Sequence, residues 1–205
     1  AARRGGCHNA HPMSSPESVP VAILCGGRGT RLRGDGPELP KPLVEIGGQP
    51  ILAHVVRLYA RQGFRRFLLL AGYRADDIGA FAAATDWGPD VTVECVDTGL
   101  DTPTGGRVAR LGERLREGTF CLTYADGVAD IDLGAELEFH RGHGATATMT
   151  VVQPDLPWGV AELDGETVRG FAEKPRSGHW INGGFFCFEP ALLERLDEDS
   201  VLERE

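Results

Sequence analysis

The sequence lacks the features that mark several large protein classes. Its 205 residues include no apolar run near the roughly 18 residues of a membrane-spanning helix, so we expect no membrane segment. Residues 1–18 lack the apolar core of about 7 to 15 residues that a signal peptide needs, and we expect them to form a disordered lead. The net charge of −9 argues against nonspecific binding of nucleic acids.

Cysteine is scarce, and its spacing fits no known ligand pattern. The five cysteines are odd in number and include no Cys-x-x-Cys pair, so we expect neither a disulfide framework nor a cysteine-bound metal. Most of them lie in or beside apolar runs, where cysteine behaves as a small buried hydrophobic residue. This usage predicts a reducing, cytoplasmic location.

A glycine-rich loop follows the apolar run at positions 19–24 and is the most informative stretch of the sequence. Gly26, Gly27 and Gly29 lack Cβ atoms, so several backbone N–H groups can converge on one phosphate. Arg31 and Lys41 add a planar fork of donors and a mobile point charge. The loop therefore predicts a site for a polyphosphate.

Two common nucleotide-binding fingerprints are missing from this loop. The dinucleotide fingerprint needs a third glycine where Leu32 stands, and the P-loop needs Gly-Lys-Ser or Gly-Lys-Thr. The chain also has no Gly-x-Ser-x-Gly nucleophile motif. The loop is therefore either a phosphate-binding loop of another kind or an ordinary glycine-rich turn.

The spacing of apolar residues predicts an α/β protein. Strands are predicted at 19–24, 67–71, 91–96 and 120–124, and helices at 50–63, 76–83, 107–115 and 133–143. Alternating strands and helices predict a parallel sheet with helices on both faces. Further strands are predicted at 147–152, 160–163, 168–173 and 183–188, and a last helix at 190–196. We expect one Rossmann-like domain, residues 19–205, whose mixed, mostly parallel sheet carries antiparallel strands in its C-terminal half.

Several motifs together resemble those of the sugar-phosphate nucleotidyltransferases, and specifically the glucose-1-phosphate cytidylyltransferase branch of that family. The resemblance runs from about residue 19 to residue 205. Its motifs are Leu24-Cys25-Gly26-Gly27-Arg28-Gly29-Thr30-Arg31-Leu32 with Lys41-Pro42, Asp97-Thr98-Gly99, Thr104-Gly105-Gly106-Arg107, Thr123-Tyr124-Ala125-Asp126-Gly127-Val128-Ala129-Asp130, Glu173-Lys174-Pro175 and Ile181-Asn182-Gly183-Gly184-Phe185-Phe186.

The resemblance implies an enzyme that transfers a cytidylyl group from CTP to α-D-glucose 1-phosphate, giving CDP-glucose and pyrophosphate. It also implies Mg²⁺ as the cofactor, no nucleic-acid partner and a homo-oligomer in the full-length form. Two alternatives stay open. The first is a nucleotidyltransferase for another base or sugar 1-phosphate, and the second is a catalytically silent paralogue that binds nucleotide-sugars.

The resemblance also assigns roles to individual residues. The implied catalytic residues are Arg31, Lys41 and Asp126, of which Asp126 binds the metal. The implied nucleotide-binding residues are Leu24, Gly26, Gly27, Gly29, Thr30, Arg31, Thr104, Gly106 and Arg107, with Arg107 near the base. The implied sugar-phosphate-binding residues are Lys174, Asn182 and Gly183.

Several of these residues also have a purely structural interpretation. Asp126 begins an Asp-Gly turn pair, Lys174 alone would be an ordinary surface lysine, and Asn182 alone a turn asparagine. The family usually has glycine before the aspartate, whereas this chain has Ala125, whose methyl group is expected to narrow the nucleotide site.

Three further residues belong to the helix predicted at 133–143. Asp132 is predicted to cap its start. His140 and His143 are predicted to be helix-terminal histidines rather than metal ligands, because no third ligand lies nearby in the sequence.

The resemblance also concerns the end of the chain. The family continues into a C-terminal segment that supplies a second metal-binding aspartate and part of the oligomer contacts. We therefore expect the 205-residue chain to be C-terminally incomplete.

Overall fold

A computed structural model describes residues 15–28 and 39–204 of the chain. The predictions for Gly29, Thr30 and Arg31 therefore lie outside the described residues. Regular structure begins before the predicted residue 19, because Pro16–Ser18 form a short 3-10 helix that leads into the first strand.

The predicted strands and helices follow one another in the expected order, and two short strands that were not predicted, at 45–46 and 49–50, are added to them. The strands are β1 (Pro20–Leu24), β2 (Glu45–Ile46), β3 (Gln49–Pro50), β4 (Arg66–Ala71), β5 (Thr92–Asp97), β6 (Phe120–Tyr124), β7 (Ala147–Val152), β8 (Val160–Asp164), β9 (Thr167–Ala172) and β10 (Ile181–Phe188). The α-helices are α1 (Ile51–Ala60), α2 (Ala75–Ala84), α3 (Thr104–Leu111) and α4 (Leu133–His143).

A six-stranded sheet forms the centre of the fold, in the order β5-β4-β1-β6-β10-β7. Strands β5, β4, β1 and β6 run parallel to one another, and β10 is antiparallel to both of its neighbours. Strands β2 and β3, and strands β8 and β9, form separate two-stranded hairpins. The predicted mixed, mostly parallel sheet is confirmed.

Helices cover both faces of the sheet, so the central strand β1 is buried on both sides. All of β1 is buried, and successive side chains of a strand point to opposite faces. Val21 and Ile23 pack in a cluster that includes residues of α1, α2 and α4. Ala22 and Leu24 pack in a second cluster with residues of α3. The predicted helices on both faces are therefore confirmed.

Helix α1 buries one apolar face against the sheet. In α1 the apolar residues Leu52, Val55, Val56 and Tyr59 recur at helical spacing and are all buried, as expected for a helix packed on the sheet. Within the described ranges, no helix is both long enough and apolar enough to cross a membrane.

The two ends of α4 tie it to its surroundings. The Asp132 carboxylate accepts a hydrogen bond from the Ala135 N–H at 2.8 Å, so the predicted cap is confirmed. Gly144 ends the helix in the left-handed conformation, with φ of 66°. In the last turn the His140 ring lies 2.8 Å from the Thr148 hydroxyl of β7 and 3.1 Å from the Glu189 carboxylate, and burial lowers its pKa. His140 therefore fastens the helix to the sheet.

Two predicted helices differ from the structure. α3 begins at Thr104 rather than at residue 107, and a 3-10 helix, Gly112–Leu115, continues it. Glycine is a weak helix former, so the pair Gly105-Gly106 hid the start of α3 in the sequence. The last predicted helix is a 3-10 helix, Pro190–Arg195.

Candidate active site

The candidate site lies at the carboxyl ends of β1 and β6. Leu24 pairs with Tyr124 at the end of both strands, and the Ala125 N–H donates to the Leu24 carbonyl at 3.2 Å. The glycine loop leaves β1 where the Asp126 loop leaves β6. The sheet therefore brings two predicted site segments, far apart in the sequence, side by side.

Lys41 and Asp126 come together at this edge. Lys41 begins a short 3-10 helix, Lys41–Leu43, and its ammonium group forms an ion pair with the Asp126 carboxylate. Both side chains are partly exposed, with 40% and 36% of their surface accessible, so a ligand can reach both. The structure thus joins two of the three predicted catalytic residues.

Asp126 alone does not form a complete metal site. In residues 15–28 and 39–204, no group of three or more His, Cys, Asp or Glu side chains is arranged to hold a metal ion. Mg²⁺ usually binds one or two carboxylates together with substrate phosphates. One exposed carboxylate beside the glycine-rich loop, which is predicted to bind phosphate, fits that mode of binding.

The methyl group of Ala125 is accommodated by the core. Ala125 is 4% exposed and packs in the same apolar cluster as Leu133 and Leu137 of α4. The Ala125 residue is therefore part of the core, and the expected narrowing of the nucleotide site stays a prediction.

Arg107 is a buried arginine beneath the glycine loop. Only 5% of it is exposed, although it comes from the first turns of α3. Its Nη1 donates to the Ala71 carbonyl at 2.9 Å, the Thr98 hydroxyl at 2.7 Å and the Gly99 carbonyl at 2.8 Å. Its Nη2 donates to the carbonyls of Gly26 and Leu100, both at 3.2 Å. Burial lowers the pKa of this guanidinium.

The guanidinium group explains two glycines. A Cβ added to Gly26 would lie 2.0 Å from Cζ of Arg107, and one added to Gly72 would lie 2.4 Å from its Nη1. Gly27, in contrast, is exposed and has open space around its Cβ position. Gly26 is therefore needed for packing on Arg107, whereas Gly27 leaves the loop surface open to a ligand.

Thr104 and Gly106 contact a segment that we call the strap, residues 197–204. The Gly106 N–H donates to the Ser200 carbonyl at 3.0 Å. The Thr104 hydroxyl donates to Glu203 at 2.7 Å and accepts from the Leu202 N–H at 3.0 Å. The nucleotide contacts assigned to Thr104, Gly106 and Arg107 stay predictions, because in the structure these residues bind the chain itself.

Asn182 joins the site through Tyr124. Its Oδ1 accepts from the Gly184 N–H at 2.7 Å, and its Nδ2 donates to the Tyr124 hydroxyl at 3.4 Å. The neighbouring Gly183 lies close to β7, since an added Cβ would be 3.0 Å from the Thr150 carbonyl oxygen. Asn182 lies inside β10, where the register against β7 shifts between Asn182 and Phe186, so it is not a turn asparagine, and its side chain contacts Tyr124 of the candidate site.

Lys174 lies apart from these contacts, just after β9. Its φ of 46° is in the left-handed region, which is uncommon for a residue other than glycine. The following Pro175 disfavours helical backbone at this position. Strained residues of this kind concentrate at functional sites.

Sequence reasoning missed two residues of the site, Tyr124 and Glu203. The Tyr124 hydroxyl donates to the Glu203 carboxylate at 2.7 Å. Burial, together with this hydrogen bond, raises the pKa of Tyr124 to about 12. Burial of Glu203 is outweighed by hydrogen bonds from Thr104 and Tyr124, which lower its pKa. Tyr124 stood inside a recognised motif, but nothing in the acidic last stretch distinguished Glu203 from its neighbours.

The scarcity of lysine in the sequence also draws attention to Lys41 and Lys174. The chain has 21 basic residues, but Lys41 and Lys174 are its only two lysines. Both had been assigned to the site from their motifs.

Comparisons with known proteins found relatives over most of the chain. The family model described as nucleotidyl transferase matches residues 21–205. The chain is 38% identical over 203 residues to the glucose-1-phosphate cytidylyltransferase of Salmonella typhi, covering 88% of this chain and 79% of that protein. It is 34% identical over 198 residues to a probable glucose-1-phosphate cytidylyltransferase of Bacillus subtilis, covering 87% and 78%. The crystal structure of HddC from Yersinia pseudotuberculosis, complexed with GMP-PN, has a TM-score of 0.66 and 25% identity over 89% of this chain and 81% of that one.

We predict that Arg107→Lys lowers the free energy of unfolding by about 2 kcal/mol or more, because a lysine ammonium cannot reach the Gly26 carbonyl and the Thr98 hydroxyl at once. Urea denaturation measures the change. The control is Arg110→Lys in the same helix, whose half-exposed arginine donates to the Thr98 carbonyl at 2.7 Å, and we expect a loss under about 1 kcal/mol. Equal losses would contradict the special role of Arg107.

Proposed function

The chain belongs to the nucleotidyl transferase family, and from that membership we propose that it transfers a cytidylyl group from CTP to α-D-glucose 1-phosphate, giving CDP-glucose and pyrophosphate. Membership makes the chain a nucleotidyltransferase that acts on sugar 1-phosphates. The base, the sugar and the metal are the content of the proposal.

The observation that carries the proposal is the pairing of Lys41 with Asp126 beside the glycine loop. In the proposed reaction a phosphate oxygen of the sugar 1-phosphate forms a bond to the α-phosphorus of CTP. The bond from that phosphorus to the β-phosphate bridging oxygen breaks, and pyrophosphate leaves. The second pKa of a phosphate monoester is near 6, so the attacking group is already largely dianionic and needs no general base.

The protein's part in this reaction is to hold two anionic substrates close together. Lys41 lies where it can neutralise phosphate oxygens, and its ion pair with Asp126 keeps the ammonium at the strand edge. The buried positive charge of Arg107, fixed beneath Gly26, favours an anion over the loop. Such positioning and charge stabilisation account for most of catalysis in phosphoryl transfer.

We propose Mg²⁺ as the cofactor, held by Asp126 together with substrate phosphate oxygens. When bound there it would neutralise charge that develops on the phosphates.

The sugar side of the proposal rests on Lys174 and Asn182. Lys174 would bind the sugar phosphate, and its left-handed backbone is the observation that favours a functional role over an ordinary surface position. Asn182 retains an N–H and a carbonyl lone pair that its two protein contacts do not use, and these suit sugar hydroxyl groups.

The choice of cytosine rests on the two relatives named as cytidylyltransferases rather than on the Thr104 motif. That motif contacts the strap. A guanine nucleotide is the competing choice, because the HddC structure was solved with GMP-PN.

The proposal is tested by pyrophosphate release from CTP, UTP, dTTP, GTP and ATP, each with glucose 1-phosphate and Mg²⁺. We expect CTP to give the highest kcat/KM. Thermal stabilisation by a nucleotide without any product would instead favour a silent binding protein.

We predict that Asp126→Asn lowers kcat at least about a hundredfold, because a lost carboxylate at a metal and phosphate site costs several kcal/mol of transition-state stabilisation. The melting temperature should change little, since the side chain is partly exposed. The matched control is Asp130→Asn, an exposed aspartate in the same loop, which should keep near wild-type kcat. Asp126→Asn with wild-type activity would refute the metal role.

We predict that Lys174→Ala raises the KM for glucose 1-phosphate about tenfold or more, the size of a lost charged hydrogen bond, with a smaller change in the KM for CTP. The control is Arg169→Ala in the hairpin of β8 and β9. It removes a cation that forms an ion pair with Asp164. A larger change in the KM for CTP would place Lys174 on the nucleotide side.

A further inference from the structure

The strap is held against α3 by contacts that leave no room for side chains on the helix. A Cβ added to Gly106 would lie 2.2 Å from the Glu198 carbonyl oxygen, and one added to Gly105 would lie 2.8 Å from Ser200. Ser200 itself is 5% exposed, and Leu202 packs at the edge of the apolar cluster beneath. The strap is therefore a docked part of the fold, and its side chains have defined positions.

Docking of the strap places the Glu203 carboxylate between two hydroxyl groups. One of its oxygens accepts from Thr104 at 2.7 Å, and the other accepts from Tyr124 at 2.7 Å. The ring of Tyr124 is itself held, since it packs edge-to-face on Phe186 with ring centroids 6.0 Å apart. The Tyr124 hydroxyl therefore lies at a fixed point between Glu203 and Asn182.

The carboxylate fixes the direction of the hydrogen bonds that the Tyr124 hydroxyl makes. An ionised carboxylate only accepts, so the hydrogen of the Tyr124 hydroxyl must point at Glu203. The oxygen of that hydroxyl then presents its lone pairs to Asn182, which must donate from Nδ2. The Gly184 N–H can only donate, so it also turns the Asn182 carbonyl oxygen toward itself, at 2.7 Å. The carboxylate and the Gly184 N–H thus favour the same orientation of the amide, and the carboxylate acts on it through Tyr124 without touching it.

We propose that Glu203 is a positioning residue for the sugar 1-phosphate, which acts through the Tyr124 hydroxyl to orient the Asn182 amide. This inference rests on the proposed function, because it concerns the sugar side of that same site. The strap and the Thr104 motif then serve to place Glu203.

The test is a double-mutant cycle on steady-state kinetics with CTP and glucose 1-phosphate. Glu203→Ala and Tyr124→Phe should each raise the KM for glucose 1-phosphate about three- to tenfold, the range that corresponds to one hydrogen bond. The double variant should be no worse than the more affected single variant, because both remove the same link. The kcat and the KM for CTP should stay within about twofold of wild type if the effect is confined to the sugar side.

Two further variants separate positioning from general loosening of the strap. Glu203→Gln keeps an acceptor for Tyr124 and should restore most of the KM. Glu198→Ala, the matched control, removes a strap carboxylate that pairs with Arg110 at 3.1 Å, and it should leave the KM for glucose 1-phosphate unchanged. The two single variants of the cycle, Glu203→Ala and Tyr124→Phe, should each lower the melting temperature by only roughly 2 to 4 °C.

The failure of this inference and of the proposed function give different results. An active wild type with an unchanged KM in Glu203→Ala and Tyr124→Phe would overturn the positioning role alone. Additive effects in the double variant, or an equal rise in Glu198→Ala, would also overturn it. A wild type that forms no product from any nucleotide would overturn the proposed function and this inference together.

Discussion

The buried guanidinium of Arg107 is the interaction on which the candidate site depends. It binds the carbonyl at the end of β4, the loop between β5 and α3, and the carbonyl of Gly26 where the glycine loop leaves β1. A buried charge is costly unless it is fully hydrogen-bonded, so these segments are held together by the need to satisfy one side chain. Glycine is required at positions 26 and 72 because a Cβ atom at either position would overlap the guanidinium group.

The parallel sheet determines where that organised edge can bind a ligand. Because β1 and β6 are neighbours and run in the same direction, their loops emerge together, and Lys41 pairs with Asp126 there. Antiparallel β10 then brings Asn182 to the same region through Tyr124. The site is therefore assembled from distant parts of the chain by strand order, and the strap adds Glu203 to it.

Sequence reasoning was most reliable where local pattern and burial agree. The strands of the central sheet, the hairpin of β8 and β9 and the helix α1 followed from apolar spacing, and the cap at Asp132 followed from its side-chain chemistry, whereas β2 and β3 were not predicted. It failed at α3, because Gly105 and Gly106 are there to admit the strap, a contact between residues about 95 positions apart that no local pattern encodes. Glu203 was missed for the same reason. Motifs located Arg107 but could not distinguish a guanidinium that binds a ligand from one that binds the chain's own carbonyls.

The proposed function requires that this site select one nucleotide for transfer to glucose 1-phosphate. The most direct measurement is a competition in which equal concentrations of CTP, UTP, dTTP, GTP and ATP are incubated with the protein, Mg²⁺ and glucose 1-phosphate, and the nucleotide-sugars are identified by mass spectrometry. The account predicts CDP-glucose as the main product, formed in equal amount to the pyrophosphate released from CTP. A different nucleotide-sugar as the main product, or none, would contradict it.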